Sequence, residues 1–273
     1  MTPAEPPLFK LRRGRTPLLV SMPHVGTFIP AELAQRMTGA ALRLPDTDWH
    51  LEQLYDFVDS LGASTIVATH SRYVIDLNRP RDDANLYPGQ ETTGLCPLDT
   101  FHRQPLYRIG AEPQPDEIRQ RIDRYWLPYH TALQAEAARL RAQHASVVLW
   151  DAHSICSVVP SLFPGRLSDL NLGSAAGASC DPLLAQTLLR IGQRHSTYSC
   201  VLDGRFKGGH ITRHYGRPAD GVHAIQLELA QAIYMDEAHP YRFDGRKAAD
   251  LRPVLRQMLS AVARWCEPGA ALP

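Results

Sequence analysis

The chain has 273 residues, with 29 Lys plus Arg against 28 Asp plus Glu and a formal charge of +1. An apolar fraction of 44% over that length supplies the core of one large domain and excludes wholesale disorder. The balanced charge excludes a general nucleic-acid binder, and no apolar run approaches the roughly 18 residues of a membrane span.

The first segment, residues 1–15, is rich in proline and charge and has no apolar h-region, so no signal peptide is expected. The first strand is predicted over 16–21, ending at Pro23. A helical pattern follows over 49–61, with Leu51, Leu54, Tyr55 and Val58 on one face. Residues 64–68 and 73–77 read as strands. Residues 80–115, rich in Pro, Gly, Asp and Thr, read as a long excursion, a length that is usually functional or disordered. Over 116–143 the spacing of Ile118, Ile122, Trp126, Tyr129, Leu133, Ala137 and Leu140 is helical, and Pro128 is expected to kink or break it. Residues 146–150 form a buried-strand pattern. A helix is expected over 182–194, with Pro182 in its first turn. Residues 198–202 and 222–228 are further strand candidates, the second also compatible with helix, and a last helix spans 247–266. Strands alternating with helices, without repeats or linkers, predict a single α/β domain over 1–273 with a mostly parallel sheet.

In such sheets ligands bind beyond the carboxyl ends of the strands, and several polar residues stand there. His24 follows the first apolar run, Asn78 and Arg79 follow 73–77, His153 follows 146–150, and Glu228 ends an apolar segment. One strand-end histidine is more often a packing residue than a ligand. Two at equivalent ends, with Asp46 and Asp48 between them in sequence, fit a two-histidine, one-carboxylate metal set that leaves a position open for water. Asp151 shares a face with His153 on an extended strand and is suited either to orient it or to cap a following element. Glu228 fits a single carboxylate serving as general base and then acid, or alternatively a salt-bridged residue. Arg79 beside Asn78 matches a substrate carboxylate, Arg213 fits a second carboxylate or a surface loop, and Arg72 fits an oxyanion. No GxSxG elbow occurs, and nothing near Cys156 favours a thiolate. The five cysteines are odd in number and form no CxxC pair, so neither a disulfide framework nor a thiolate metal site is expected, and a reduced, cytoplasmic setting is the simplest reading. Only three of the basic residues are lysine and there are 12 histidines; this tilts toward a small-anion or metal enzyme, although genome composition gives the same arginine bias.

Six ordered motifs together resemble the N-formylglutamate amidohydrolase (deformylase) family: SMPHVG at 21–26, PDTDWH at 45–50, DLNRP at 76–80, LWDAHS at 149–154, FKGGHITRHYG at 206–216 and QLELA at 226–230. The resemblance covers about 17–265. It implies hydrolysis of N-formyl-L-glutamate to formate and L-glutamate, the last step of a histidine degradation route. Through the related zinc exopeptidases and aspartoacylase it also implies a three-layer α/β/α sandwich around a mixed, mostly parallel sheet. Those relatives carry a glutamate three residues after the first histidine, where this chain has Thr27. The resemblance therefore implies His24, Asp48 (in preference to Asp46) and His153 around one divalent ion, Zn²⁺ first and Co²⁺, Mn²⁺ or Fe²⁺ as alternatives. It further implies Glu228 as base, Arg72 at the oxyanion, and Asn78, Arg79 and Arg213 on the two carboxylates of a dianionic small molecule. The rival expectations are a related metal amidohydrolase for another N-acyl amino acid or small peptide, and a non-catalytic anion-binding domain.

Overall fold

All five residues of β2 (Leu18–Met22) and all nine of β4 (Val147–Ile155) and β7 (Val222–Ala230) are buried. Strands that read as continuous buried runs belong to the middle of a sheet covered on both faces. The computed structural model describes residues 5–86, 89 and 92–267. In it these strands join β1 (Phe9–Arg12), β3 (Ser64–Ala68), β5 (Leu170–Gly173) and β6 (Cys200–Leu202) in a seven-stranded sheet of order β1-β3-β2-β4-β7-β5-β6. The four central strands β3, β2, β4 and β7 are mutually parallel; β1 on β3 and β5 on β7 are antiparallel. The sheet is mixed and mostly parallel, as expected.

Successive residues of the central strands feed opposite cores, as the period of two requires. Leu18, Val20, Val148 and Trp150 pack with α5 (Pro182–Arg194) and α7 (Gly245–Trp265) through Leu184, Leu188, Leu251 and Leu255. Leu19, Val147 and Leu149 pack on the other face with α4 (Leu127–Arg141) through Tyr129, Leu133 and Leu140. Helices therefore cover both faces, which makes the three-layer sandwich. Short helices α1 (Ala31–Ala34), α2 (Leu51–Leu54), α3 (Pro115–Arg121) and α6 (His210–Tyr215) fill the connections. Among the described residues no helix is long and apolar enough to cross a membrane.

Three expectations are revised. Residues 73–77 are not a strand. Tyr73, Val74, Ile75 and Leu77 are buried in the core on the α4 face, but their backbone runs as a loop whose polar groups are met from outside a ladder. The Asp76 N–H donates to the Leu95 carbonyl, and the Val74 carbonyl accepts from Arg121. A buried apolar loop with satisfied backbone carries the same residue pattern as a strand. Pro128 does not end the helical path from 115 to 141. The turn before it, Ile122–Trp126, widens to a π turn, and Pro128 falls in the first turn of α4, where its missing N–H costs little. The predicted helix over 49–61 is α2 followed by a tighter 3₁₀ stretch, Asp56–Leu61. Residues 222–228 are strand, and β1 and β5 are strands that the apolar pattern did not reveal. Part of the 80–115 excursion, residues 87, 88, 90 and 91, lies outside the described residues.

Candidate metal and catalytic site

The parallel strands deliver their ends to one place. His24 lies two residues past β2, His153 near the end of β4 and Glu228 near the end of β7, where His153 and Glu228 are register partners. The 45–50 segment is drawn in because the Asp48 N–H donates to the His24 carbonyl at 3.0 Å. Side-chain atoms of His24, Asp48 and His153 lie within 4.8 Å of one another, all buried. Asp48 Oδ2 is 3.0 Å from His153 Nδ1 and 3.9 Å from His24 Nδ1.

Both imidazoles turn Nδ1 to this centre and Nε2 to a second carboxylate. His24 Nε2 is 2.8 Å from Asp76 Oδ1, and His153 Nε2 is 3.0 Å from Asp151 Oδ2. A carboxylate on the far nitrogen fixes ring orientation and tautomer, as in histidines that ligate metals. Those carboxylates are themselves held: Asp151 accepts from the Ser21 hydroxyl at 3.1 Å, and Asp76 accepts from the Asn78 N–H at 2.8 Å and from Arg72 Nη2 at 2.6 Å. A buried His-Asp-His set with each imidazole braced in this way fits a divalent ion, and the donor set suits zinc and its first-row neighbours. Asp46 is not part of the set. Its Oδ2 accepts the Phe101 N–H at 2.8 Å.

The charges follow from these contacts. Burial and the Arg72 guanidinium hold His24 below the usual histidine range, with Asp76 and Asp48 offsetting part of this. Burial also works to lower His153, but Asp151 and Asp48 outweigh it and hold the imidazole well above its ordinary value. Burial would raise Asp76, yet His24 and Arg72 keep its carboxyl well below the carboxylate range. Burial pushes the Glu228 carboxyl up to about 8, with His153 opposing and Asp48 adding to the rise. A carboxyl tuned toward neutrality beside a metal-type donor set is suited to move a proton in both directions.

These groups open on one cavity, lined among others by His24, Arg72, Asn78, Arg79, His153 and Glu228. Arg72 is buried, with its guanidinium 4.7 Å from the Phe101 ring centroid. Arg79 is held by Thr93, its Nε donating to the Thr93 carbonyl at 2.8 Å and Nη2 to the hydroxyl at 3.2 Å. Two residues depart from their expected roles. Asn78 spends its amide inside the protein: Oδ1 accepts the Ile211 N–H at 2.8 Å, and Nδ2 lies 3.2 Å from Asp151 Oδ2 and 2.9 Å from His153 Nε2. Its Nδ2 donates to Asp151, the carboxylate that holds His153, so Asn78 orients His153 through Asp151 while lining the cavity. Arg213 does not line the cavity; its Nε donates to the Gly208 carbonyl at 2.9 Å, whereas Arg205, fixed by an Nε bond to the Leu162 carbonyl at 2.6 Å, does line it.

Sequence reasoning gave no role to Asp76, Phe101, Arg205 or Gln226, all on the cavity wall. Asp76 carried a usable signal: an acid at the end of a buried run, two residues before Asn78 and four after Arg72. Gln226 connects two parts of the site. Its Oε1 accepts the Gly209 N–H at 2.9 Å and its Nε2 donates to Glu228 Oε2 at 3.1 Å.

Comparison with known proteins places the whole chain. Residues 16–235 match the family model described as N-formylglutamate amidohydrolase. The chain is 51% identical to an N-formylglutamate deformylase of Pseudomonas aeruginosa, over 94% of this chain and 97% of that protein. It is 49% identical to the N-formylglutamate deformylase of Pseudomonas putida, over 94% and 96%. Its fold is similar to the crystal structure of N-formylglutamate amidohydrolase from Ralstonia eutropha, with TM-score 0.80, 27% identity and coverage of 94% and 97%. A protein of Agrobacterium tumefaciens shares the fold at 17% identity, with TM-score 0.69 and coverage of 93% and 96%.

Proposed function

Because the chain belongs to the N-formylglutamate amidohydrolase family, we propose that it hydrolyses N-formyl-L-glutamate to formate and L-glutamate with one divalent metal ion, zinc by preference, as the last step of a histidine degradation route. The observation that carries the metal reading is the buried His24-Asp48-His153 set with Asp76 and Asp151 on the far imidazole nitrogens. When bound there, such an ion supplies Lewis-acid polarisation and lowers the pKa of water toward neutrality.

The remaining work falls to the chain's own side chains. Glu228 takes a proton from the attacking water as its oxygen bonds to the formyl carbon. The Arg72 guanidinium, held by Asp76, stabilises the oxyanion that forms. Glu228 then gives the proton to the amine nitrogen as the C–N bond breaks, so that formate and glutamate leave and the carboxylate is regenerated. Arg79 clamps one glutamate carboxylate. For the second we assign Arg205 in place of the expected Arg213, since Arg205 lines the cavity together with Arg72 and Arg79, whereas Arg213 does not. Asn78 contributes by orienting His153. The five unpaired cysteines support a reducing, cytoplasmic setting.

The test is formate release by metal-loaded protein from formyl-, acetyl- and succinyl-glutamate and from formyl-aspartate, before and after chelation. Formyl-glutamate should lead the panel, and chelation should abolish turnover that added metal restores. Preference for another acyl group assigns the chain to a neighbouring amidohydrolase activity. Background rates with metal bound would overturn the enzyme reading.

A further inference from the structure

We propose that Gln226 is a positioning residue that decides which oxygen of Glu228 carries the proton. The proposal rests on the reading of Glu228 as the base. Gln226 and Glu228 are two residues apart in β7, so their side chains leave the same face of an extended strand, and both line the cavity. Gln226 is only 4% exposed, so its amide must find partners within the protein.

The orientation of that amide follows from the network. The Gly209 N–H can only donate, and it points to Gln226 at 2.9 Å, so the atom it meets is the oxygen. The Gln226 nitrogen therefore faces Glu228 and donates to Oε2 at 3.1 Å. With Oε2 engaged, Oε1 is the oxygen through which the proton passes, from water to Oε1 and from Oε1 to the leaving nitrogen. The anchor of this contact is closely packed. A Cβ at position 209 would come within 2.5 Å of the Asn78 amide, which itself accepts the Ile211 N–H and contacts His153. Gln226 thus ties the base to Gly209, which packs on the Asn78 amide beside His153.

The experiment is a double-mutant cycle on the holoenzyme. Gln226→Met keeps the side-chain length and removes both hydrogen bonds. It should lower kcat about 10- to 100-fold, the usual cost of losing such an outer partner, with KM within about threefold of wild type. In a Glu228→Gln background the same change should cost nothing further, because the effect runs through Glu228. Gln226→Glu keeps the acceptor for Gly209 but offers no donor to the Glu228 carboxylate, so it should lose at least as much. It carries the cycle if the Met variant fails to fold. A kcat within about twofold of wild type in both variants, or losses that multiply fully with Glu228→Gln, overturns the proposal. The cycle is run on whichever substrate of the panel turns over fastest, so a wrong acyl or amino-acid assignment leaves the Gln226 result legible. If holoenzyme hydrolyses none of them, both readings fall together.

Discussion

The surroundings of Glu228 set its chemistry, since burial lifts its carboxyl to about 8 while His153 restrains it. Glu228→Gln keeps the shape and the contact with Gln226 but cannot take a proton. It should lower kcat by about 10² to 10⁴, measured as initial rates of formate release, with metal content unchanged. Asp76 is a second test point. It joins His24, Arg72 and the Asn78 backbone through three hydrogen bonds. Asp76→Asn should weaken metal affinity or activity about 10- to 100-fold, read by competition with a chromophoric chelator. At this scale the sequence was legible where a residue's place relative to a strand end decides whether it reaches the cavity, as for His24, His153 and Glu228. It was not legible where two loops must meet. Nothing local to position 76 says that its carboxylate reaches a histidine 52 residues away. Nor does anything in the GGHITRH stretch say that Arg213 turns back on Gly208 while Arg205 reaches the cavity.

The elements were legible in proportion to how far local chemistry fixes them. Helix α5 begins where Asp181 precedes Pro182, and the Asp181 carboxylate accepts from the Leu183 and Leu184 N–H groups. That cap satisfies two donors which the first turn leaves open. Asp181→Ala should therefore cost about 1 kcal/mol of stability, measured by denaturant titration, while turnover stays at the wild-type value because α5 packs behind the sheet. The segment 73–77 shows the opposite case. Its residues are as buried as a strand's, but Asp76 bonds to Leu95 and Val74 to Arg121. Those partners come from far along the chain, so an apolar run alone cannot announce them. The π turn ahead of Pro128 is likewise a feature that periodicity does not encode.

For the whole molecule, pH also enters through two histidines outside the site, His130, which is buried, and His210, which is partly buried. His130 Nε2 lies 2.9 Å from the Leu77 carbonyl, which only accepts, so Nε2 carries the proton and Nδ1 is bare, accepting from the Tyr215 hydroxyl at 2.9 Å. Burial, aided by His210, lowers this imidazole to about 3, and burial with His214 lowers His210 to about 4. Both stay neutral in the fold under conditions where the unfolded chain binds a proton. The stability that these two neutral imidazoles contribute should then be fully present above about pH 6.5, the ordinary histidine value, and fall as pH drops toward about 4 for His210 and about 3 for His130. His130→Gln should flatten that slope in Tm measured from pH 7 to 4.5, after allowing for any uniform loss of stability.

The distribution of the three candidate ligands along the chain has a consequence for exchange. His153 sits in β4, which pairs with β2 as far as Asp151 and with β7 through His153 itself, whereas His24 and Asp48 stand on connecting segments joined to each other by one backbone hydrogen bond. Amides in a central strand open only with global unfolding, while connecting segments open by smaller fluctuations. The slowest-exchanging amide protons of the molecule should therefore be found in the strand that carries His153, and faster ones in the segments that carry His24 and Asp48.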